Sequence, residues 1–381
     1  MKKINFAVLG AHNRGKISQL AHRPENGLRL IAACGRSLDH LEDYRAICGP
    51  DILLTKDYRD IIFHPKIDAI FICTPDFLHA EHTLAALAAG KHVYLEKPMA
   101  ITIEDCDAIL RADGKNGGRL YVGHNMRFFP VMQKMHNLIR EGRIGRVEAI
   151  WCRHFISYGG DAYYKDWHSE RRNSTGLLLQ KGAHDIDILH WLAGSYTRRV
   201  VGMGKLSVYN EVEDRRHFDE VSSVAFNPEN WPPLKQKGLS PDIDVEDHSM
   251  LLLQMENGVQ ASYSQCHYTP DSGRNYTIIG TEGRIENLGD HSTREQWASV
   301  HLWNSRMGHR CDQGNEIFRI PHLQGSHGGA DPLIVDDFIK FLRGGEPAGA
   351  KPLDARMAVA AGCQGTASLR GGSIPLDIPP A

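Results

Sequence analysis

The sequence predicts a doubly wound α/β domain followed by an α+β domain with a large, mostly antiparallel open sheet. The chain has 381 residues, which is enough for two hydrophobic cores. Over residues 1–125, apolar strands alternate with helices, a pattern typical of a parallel sheet covered on both faces. After about residue 143, strands follow one another with few helices between them, which indicates an antiparallel sheet in residues 126–381.

The first domain is predicted from five apolar strands and the helices that join them. The strands are Ile4–Leu9, Leu28–Cys34, Ile67–Cys73, His92–Leu95 and Leu120–Val122. A helix is expected from about Asn13 to His22, a second over Ala80–Ala89 with Gly90 as its stop, and a third over Thr102–Ala112. The third begins with Thr-x-x-Asp, which is close to a capping box.

The second domain is predicted from a series of strands, one hairpin turn and one central helix. The predicted strands are Val147–Phe155, Arg199–Val208, His248–Met255, Val259–His267, Tyr276–Ile279 and Arg284–Asn287. Asn257-Gly258 is a hairpin signal between two of them. The helix spans Gly182–Leu192, and two late helices, Pro332–Leu342 and Leu353–Leu369, are free to pack back on the first domain.

Composition excludes several classes of function. The formal net charge is −2, which argues against general binding to nucleic acid or to an anionic membrane, since both require a basic surface. No apolar stretch is long enough to span a bilayer, and the apolar run near the N-terminus is too short for a signal peptide. The eight cysteines contain no C-x-x-C pair, so we expect reduced thiols in a cytoplasmic protein.

A phosphate-binding turn is predicted directly after the first strand. Gly10-Ala11-His12-Asn13-Arg14-Gly15 has the frame of G-x-G-x-x-G, with His12 at the place of the second glycine. In such a turn one glycine permits the tight bend, another permits close packing of helix on strand, and the helix start faces pyrophosphate. We therefore expect Gly10, His12, Asn13 and Arg14 to contact a dinucleotide, although an ordinary β-to-α turn would give the same frame.

The end of the second strand favours NADP over NAD. An NAD-binding fold places an acidic residue about 20 residues beyond the fingerprint, to bind the ribose hydroxyls. Here that region reads Gly35-Arg36-Ser37, and the first carboxylate is Asp39. Arg36 and Ser37 suit a 2′-phosphate, so NADP is preferred and NAD is the alternative. Arg36 could otherwise lie in solvent or stack on adenine.

Motifs along the whole chain resemble the Gfo/Idh/MocA oxidoreductases, a family named for glucose–fructose oxidoreductase, inositol 2-dehydrogenase and a rhizopine-catabolism protein. The matching segments are Thr74-Pro75-Asp76-Phe77-Leu78-His79, Gly90-Lys91-His92-Val93, Glu96-Lys97-Pro98, Gly123-His124-Asn125-Met126-Arg127-Phe128, and Gly182-Ala183-His184 with Asp187 and Trp191. Glu-Lys-Pro after a strand is the most specific of them.

The resemblance implies a Rossmann domain, a substrate cleft between the domains, and a homodimer or homotetramer formed through the open sheet. It implies that Glu96 positions the nicotinamide end, that Lys97 reaches the substrate, and that the Lys97–Pro98 peptide is cis. Other matching positions are predicted to bind the cofactor (Thr74, Pro75, His79 and Asn125) or the substrate (Arg127).

One motif departs from the family pattern. The family's second domain carries Asp-x-x-x-His with the histidine as proton carrier, and this sequence aligns Gln180 with the aspartate and His184 with the histidine. Gln180 cannot supply the negative charge that would stabilise an imidazolium. Asp185 and Asp187 lie nearby in sequence, and either is a possible substitute.

The chemistry expected from these residues is hydride transfer coupled to proton transfer. The hydroxyl proton of a carbinol must leave as hydride passes to the nicotinamide, and Lys97 and His184 suit that task. Structural alternatives are a surface lysine and a capping or core histidine. Tyr158, Trp167 and His168 are predicted to contact substrate hydroxyls, or else to belong to a surface loop. Gln180 is also predicted to contact substrate. Asp331, after His327-Gly328-Gly329-Ala330, either faces the cleft or caps a helix.

The predicted function is therefore an NAD(P)-dependent dehydrogenase or reductase acting on CH–OH groups of a sugar, a sugar derivative or an inositol. A redox-assisted glycosidase with tightly bound NAD and a non-enzymatic dinucleotide sensor are the alternatives. No histidine falls in a metal-ligand spacing such as H-E-x-x-H, so no metal is expected.

Overall fold

The computed structural model of the chain describes residues 3–217, 225–290, 297–309 and 311–381. These residues form two compact units. Unit 1 comprises residues 1–125, 329–356 and the last residue, and unit 2 comprises residues 126–328 and 357–380.

The strands form one sheet in each unit. They are β1 Ile4–Leu9, β2 Leu28–Cys34, β3 Leu53–Thr55, β4 Ala69–Ile72, β5 His92–Leu95, β6 Leu120–Val122, β7 Val147–Phe155, β8 Thr197–Lys205, β9 His248–Met255, β10 Gln260–Cys266, β11 Gly273–Gly280, β12 Arg284–Leu288, β13 Trp297–Trp303, β14 Glu316–Pro321 and β15 Leu376–Asp377. The sequence pattern did not predict β3, β13, β14 or β15.

The helices alternate with strands in unit 1 and cluster around one sheet face in unit 2. They are α1 Glu42–Cys48, α2 Tyr58–Ile62, α3 His79–Ala88, α4 Ile103–Ala112, α5 Pro130–Arg140, α6 Gly159–Tyr163, α7 Arg171–Ser174, α8 Leu177–Gln180, α9 Gly182–Ala193, α10 Ala330–Leu342 and α11 Pro352–Arg370. The helix predicted near Asn13 is a 3-10 helix, Asn13–Ala21. As predicted, Thr102 caps α4, accepting a hydrogen bond from the backbone N–H of Asp105 at 3.1 Å.

The sheet of unit 1 is parallel throughout, with strand order β3-β2-β1-β4-β5-β6. This order reverses direction between β1 and β4, which is the switch point where doubly wound sheets bind ligands. The doubly wound fold predicted for this part of the chain is confirmed.

Helix α10 completes the core of unit 1, although it follows β14 in the chain. The ring of Phe338 lies 6.4 Å from that of Phe6, 5.3 Å from Phe71, 5.4 Å from Tyr94 and 5.5 Å from Tyr121, measured between centroids. All five side chains are buried. Aromatic rings at these separations stabilise a core beyond the area that they bury.

The sheet of unit 2 has nine strands in the order β14-β13-β12-β11-β7-β10-β9-β8-β15. Its pairs are antiparallel except β7 with β10, which run parallel. The prediction of a large, mostly antiparallel sheet is confirmed. Helix α9 packs against β7 and β10. Large apolar side chains are exposed along the strands, among them Trp151, Met203, Met250 and Leu252.

A second hydrophobic cluster in unit 2 lies under the segments that connect β7 to β9. Its buried members are Ile156, Tyr163, Tyr164, Leu177, Tyr209, Val212, Leu239 and Val245. This cluster fixes the loop containing α6 and the residues predicted to contact substrate.

Candidate active site

Two glycines make the turn after β1 as tight as the sequence predicts. Gly10 has φ +77°, and a Cβ at that position would lie 2.4 Å from the carbonyl oxygen of Cys73. A Cβ on Gly15 would lie 2.2 Å from the carbonyl oxygen of Gly10. Neither site admits a larger residue without moving backbone, so both glycines are required for this geometry.

The two central residues between these glycines are open to solvent. His12 and Asn13 are exposed, His12 stands before the first residue of the 3-10 helix, and Asn13 has φ +44°. The hydroxyl of Tyr44 on α1 donates a hydrogen bond to the Ala11 carbonyl at 2.8 Å, which holds the turn from below. The arrangement provides an accessible helix start at the carboxyl end of a parallel strand, which fits a pyrophosphate.

The end of β2 presents a cationic side chain beside this turn. Arg36 is exposed and Ser37 is half-buried, and the Gly35 N–H donates to the Thr55 carbonyl at 3.2 Å. Asp39 begins a short 3-10 helix and is exposed. The charge at the strand end is therefore positive, as the sequence indicates.

His79 connects two loops at the carboxyl edge of the sheet. Its Nδ1 lies 2.7 Å from the Pro98 carbonyl and its Nε2 lies 2.8 Å from the Thr74 carbonyl. Burial lowers the pKa of His79, while the two carbonyls act in the opposite direction. Thr74 Oγ1 lies 3.1 Å from His82 Nδ1, and Pro75 is half-buried in the same turn. The His79 ring thus ties the turn at Thr74 to the loop of Lys97.

An ion-pair network holds Glu96, which directly follows β5. Arg14 Nε donates to Glu96 Oε1 at 2.7 Å, and Arg14 Nη1 donates to Asp331 Oδ2 at 2.6 Å. The hydroxyl of Tyr94 also donates to Glu96 Oε1, at 3.3 Å. Arg14 is expected from the sequence to bind cofactor, and here its guanidinium joins the phosphate turn to the Glu-Lys-Pro loop.

Lys97 follows this carboxylate directly. Its backbone N–H donates to Glu96 Oε2 at 3.3 Å, its side chain is half-buried, and the Lys97–Pro98 peptide bond is cis. The Glu96 carboxylate thus fixes the backbone from which the Lys97 side chain projects.

Asn125 offers a polar atom suited to a dinucleotide. Its Nδ2 donates to Asp331 Oδ1 at 3.3 Å. Its Oδ1 is buried and has no hydrogen-bond partner within the described ranges. A buried acceptor of this kind is costly unless a donor reaches it, and a ribose hydroxyl or a carboxamide N–H of the cofactor would supply one. The residues present therefore fit the cofactor that the turn predicts.

In unit 2, the two aspartates near His184 are already paired with arginines. Asp185 accepts from Arg274 Nε at 2.8 Å, and Arg127 forms a bidentate pair with Asp187, with Nε–Oδ2 2.9 Å and Nη2–Oδ1 2.7 Å. The Arg127 guanidinium also lies 5.6 Å from the Trp191 ring centroid. Arg127, predicted to contact substrate, is thus buried in a structural ion pair.

The motif that departs from the family pattern lies at a helix junction. Gln180 is buried at the end of α8, and His184 is half-buried in the first turn of α9. Asp185 is further stabilised by hydrogen bonds from Tyr276 and, at 3.1 Å, from Tyr263. Burial acts to raise the pKa of Asp185, but Arg274, the contacting His154 and the Tyr276 hydroxyl outweigh it, so the pKa is lowered and Asp185 carries a negative charge.

The three loop residues predicted to contact substrate lie close together. Trp167 and His168 stack with ring centroids 3.6 Å apart, and His168 Nδ1 contacts the Asp166 carboxylate. The His168 ring meets Tyr163 edge-on at 5.3 Å, and Tyr163 lies 6.2 Å from Tyr158. These rings form one aromatic group.

Sequence reasoning missed three participants in these contacts. Asp331, in the first turn of α10, was noted in the sequence, but nothing there indicated its partner Arg14, 317 positions away. Lys181, which contacts Tyr158, lies between two motif residues without belonging to the motif pattern. Arg274 carried no signal, since it is a single arginine in a strand.

Metal and membrane features are absent from the part of the chain that the structure describes. No group of three or more His, Cys, Asp or Glu side chains there could hold a metal ion. No helix among those residues is long and apolar enough to cross a bilayer.

Two family profiles match the chain. Residues 4–124 match "Oxidoreductase family, NAD-binding Rossmann fold", and residues 136–378 match "Oxidoreductase family, C-terminal alpha/beta domain". Levoglucosan dehydrogenase of Pseudarthrobacter phenanthrenivorans is 28% identical over 316 residues, covering 76% of this chain and 75% of that protein. Inositol 2-dehydrogenase of Salmonella typhimurium is 30% identical over 172 residues, covering 44% of this chain and 47% of that protein.

Solved structures share the fold over the whole chain. The complex of levoglucosan dehydrogenase with NADH and levoglucosan superposes with a TM-score of 0.78 at 23% identity, covering 99% of this chain and 100% of that one. An oxidoreductase domain protein from Kribbella flavida gives a TM-score of 0.79 at 19% identity and covers all of both chains.

Proposed function

Because this chain belongs to the Gfo/Idh/MocA oxidoreductase family, we propose that it transfers hydride between a nicotinamide cofactor and a secondary alcohol or ketone of a sugar, a sugar derivative or an inositol. As a member of the family the chain is an oxidoreductase, and its N-terminal domain is an NAD-binding Rossmann domain. The names of levoglucosan dehydrogenase and inositol 2-dehydrogenase support a polyhydroxylated substrate.

The Glu96-Lys97-Pro98 loop is the observation that carries the proposal. Glu96 is held by Arg14 and Tyr94, and its second oxygen accepts the N–H of Lys97. A carboxylate fixed in this way restricts the backbone that carries the lysine, and a fixed lysine can hydrogen-bond the oxygen of a reacting carbinol. The cofactor, when bound, accepts or donates the hydride.

We assign Lys97 to the reacting oxygen and His184 to the transfer of its proton. The Gly10–Gly15 turn, Glu96 and Asn125 are assigned to the cofactor. Trp167 and His168, which stack on each other, are assigned to substrate hydroxyls.

We propose NADP as the preferred cofactor, with NAD as the alternative. The exposed Arg36 at the end of β2 supports this preference, since a guanidinium pairs with a 2′-phosphate through charge-assisted hydrogen bonds. The first carboxylate after that strand, Asp39, belongs to the following 3-10 helix.

Nicotinamide absorbance during incubation with a panel of sugars, anhydrosugars and inositols tests the proposed reaction. Oxidation or reduction of cofactor in step with one of these compounds is the expected result. Release of a chromogenic aglycone without net cofactor turnover would replace the proposal with redox-assisted glycoside cleavage. Dinucleotide binding without turnover of any compound would replace it with a sensor function.

We also propose that the exposed face of the nine-stranded sheet binds a second copy of this chain. Its apolar side chains include Met203 and Met250, which are paired directly across β8 and β9, and the neighbouring Leu252. Contiguous exposed apolar side chains are typical of an interface. Leu252→Glu is expected to halve the particle mass in sedimentation, and an unchanged mass would contradict this assignment.

A further inference from the structure

Lys181 of unit 2 is held by tyrosines. Its Nζ donates a hydrogen bond to the Tyr158 hydroxyl at 3.1 Å and lies 5.4 and 5.2 Å from the ring centroids of Tyr158 and Tyr163. Over the described stretches of the chain, no carboxylate forms an ion pair with Lys181. Lys181 is half-buried, and an ammonium group partly withdrawn from water is stabilised by an anion; the oxygen in direct contact here is a phenol.

The charges around the Tyr158 hydroxyl come from three further elements. Arg274 on β11 is paired with Asp185 on α9, and Asp290 after β12 accepts the Arg274 backbone N–H at 2.9 Å. Burial and Asp290 raise the pKa of Tyr158, but Lys181 and Arg274 outweigh them, so the net direction is downward. Tyr158 is therefore the phenol of this group that ionises most readily.

Two buried histidines beneath the tyrosines contribute no positive charge at neutral pH. Burial, with Arg274 next, lowers the pKa of His154 to about 3. Burial also lowers the pKa of His267 far below its usual value, and neither of its ring nitrogens has a hydrogen-bond partner among the residues described. His267 packs edge-on against Tyr163 at 5.4 Å. Lys181 is thus the cation in direct contact with the phenol.

The tyrosine is accessible and close to the predicted proton carrier. Tyr158 is half-buried and directly precedes α6. Lys181 has helical backbone angles, φ −93° and ψ −40°, at the start of α9. Lys181 is the N-cap residue of α9 and precedes His184 by three positions, a spacing at which helix residues are neighbours. Gln180, at the same junction, has no charge with which to support His184.

We propose that Tyr158, in place of His184, exchanges the proton of the reacting oxygen, and that Lys181 is the positioning residue that holds its phenolate. This role rests on the proposed function, because it assigns the residue that exchanges the substrate proton in that reaction. In the oxidative direction, the C–H bond breaks and its electron pair leaves as hydride to the nicotinamide. The O–H bond breaks, its proton forms a new bond to the phenolate oxygen of Tyr158, and the carbonyl C=O forms. Reduction reverses each transfer.

Titration of the tyrosines in the absence of substrate tests the pairing of Tyr158 with Lys181. Ultraviolet difference spectra of tyrosine ionisation are compared for wild type, Tyr158→Phe and Lys181→Met. We expect one tyrosine of the wild type to ionise below the ordinary pKa of about 10. This transition should disappear in Tyr158→Phe and shift upward in Lys181→Met. If the titration curve of Tyr158→Phe is the same as that of the wild type, the proposed ionisation of Tyr158 beside Lys181 is wrong, whether or not the enzyme is active.

The pH profile of kcat/KM for oxidation tests the catalytic role. Tyr158→Phe is expected to lower kcat/KM by about 10²–10⁴-fold and to remove the rising limb. Lys181→Met should move that limb to higher pH, and Lys181→Arg should restore it. The control Tyr268→Phe removes a hydroxyl that bonds His248 instead and should leave the profile unchanged.

The outcomes separate this role from the proposed function. An active wild type whose rising limb persists in Tyr158→Phe and is lost in His184→Asn overturns the role of Tyr158 and leaves the function standing. A wild type that oxidises or reduces none of the polyols overturns the function and, with it, this role.

Discussion

Arg14→Ala is expected to destabilise unit 1 by about 3–5 kcal/mol, because it leaves two buried carboxylates without their cation. The guanidinium nitrogens lie 2.7 Å from Glu96 and 2.6 Å from Asp331, whose side chains are only 7% and 3% exposed. At an effective dielectric constant of about 20, one such pair of unit charges attracts by about 6 kcal/mol before desolvation is subtracted. The substitution removes both attractions and leaves both acids desolvated.

Arg23→Ala is the matched control, since it also breaks an ion pair to an acid on α10. Arg23 Nη1 lies 2.6 Å from Asp336, but these two side chains are 34% and 55% exposed. Ion pairs in contact with water contribute only about 0.2–1 kcal/mol. The two substitutions remove the same chemical group and differ chiefly in the burial of its partners.

Hydrogen exchange of backbone amides in β1 and β5 measures the effect within unit 1, with β10 as the reference in unit 2. A loss of about 3–5 kcal/mol corresponds to exchange roughly 150- to 5000-fold faster, since about 1.4 kcal/mol is a factor of ten. If β1 and β5 exchange in Arg14→Ala within about fivefold of their rate in Arg23→Ala, the buried network does not stabilise the unit as reasoned here.

Three further expectations concern cofactor choice, catalysis and acid stability. Arg36→Ala should weaken NADP binding far more than NAD binding in calorimetric titration; tighter binding of NAD than NADP by the wild type would contradict the assignment of this strand end. Lys97→Ala should abolish turnover and leave dinucleotide affinity within about threefold, because the side chain is assigned to the reacting oxygen; a variant that keeps most of its kcat would place the reacting group elsewhere. Burial lowers the pKa of His154 to about 3, so the unfolded state binds a proton that the folded state does not, and unit 2 should lose stability as pH falls from about 6.5 toward 3. His154→Gln should flatten this dependence in urea unfolding followed by tryptophan fluorescence, and an unchanged slope would mean that another group controls it.

The sequence predicts the sheet of unit 1 well because its strands are continuous apolar runs. Leu28–Cys34 and His92–Leu95 were predicted with the bounds that the structure gives. The missed strand β3 has three residues, too few for a periodic pattern. Helix α5 was also missed, although Pro130 stands at its first position, where proline is favoured.

The sequence predicts that the larger sheet is mostly antiparallel, but it predicts only some of its strand pairs. Asn257-Gly258 indicated the antiparallel pair of β9 and β10 because a turn of that composition fixes the pairing locally. The parallel pair of β7 and β10 depends on contacts more than 100 residues apart, which no local pattern records. Similarly, Arg127 matched a motif position, but its partner Asp187 lies 60 residues away and becomes visible only in the fold.

The discontinuous core of unit 1 has a consequence for the order in which the protein folds during synthesis. The residues that form β1, β4, β5 and β6 leave the ribosome long before Phe338 on α10, against which their aromatic side chains pack. At about 5–20 residues per second, translation of the roughly 200 intervening residues takes about 10–40 s. Throughout that interval the nascent N-terminal segment exposes the faces of Phe6, Phe71 and Tyr94 that α10 later covers. Residues 357–380 of unit 2 follow α10 in the chain, so neither unit receives its last segment until synthesis is nearly complete.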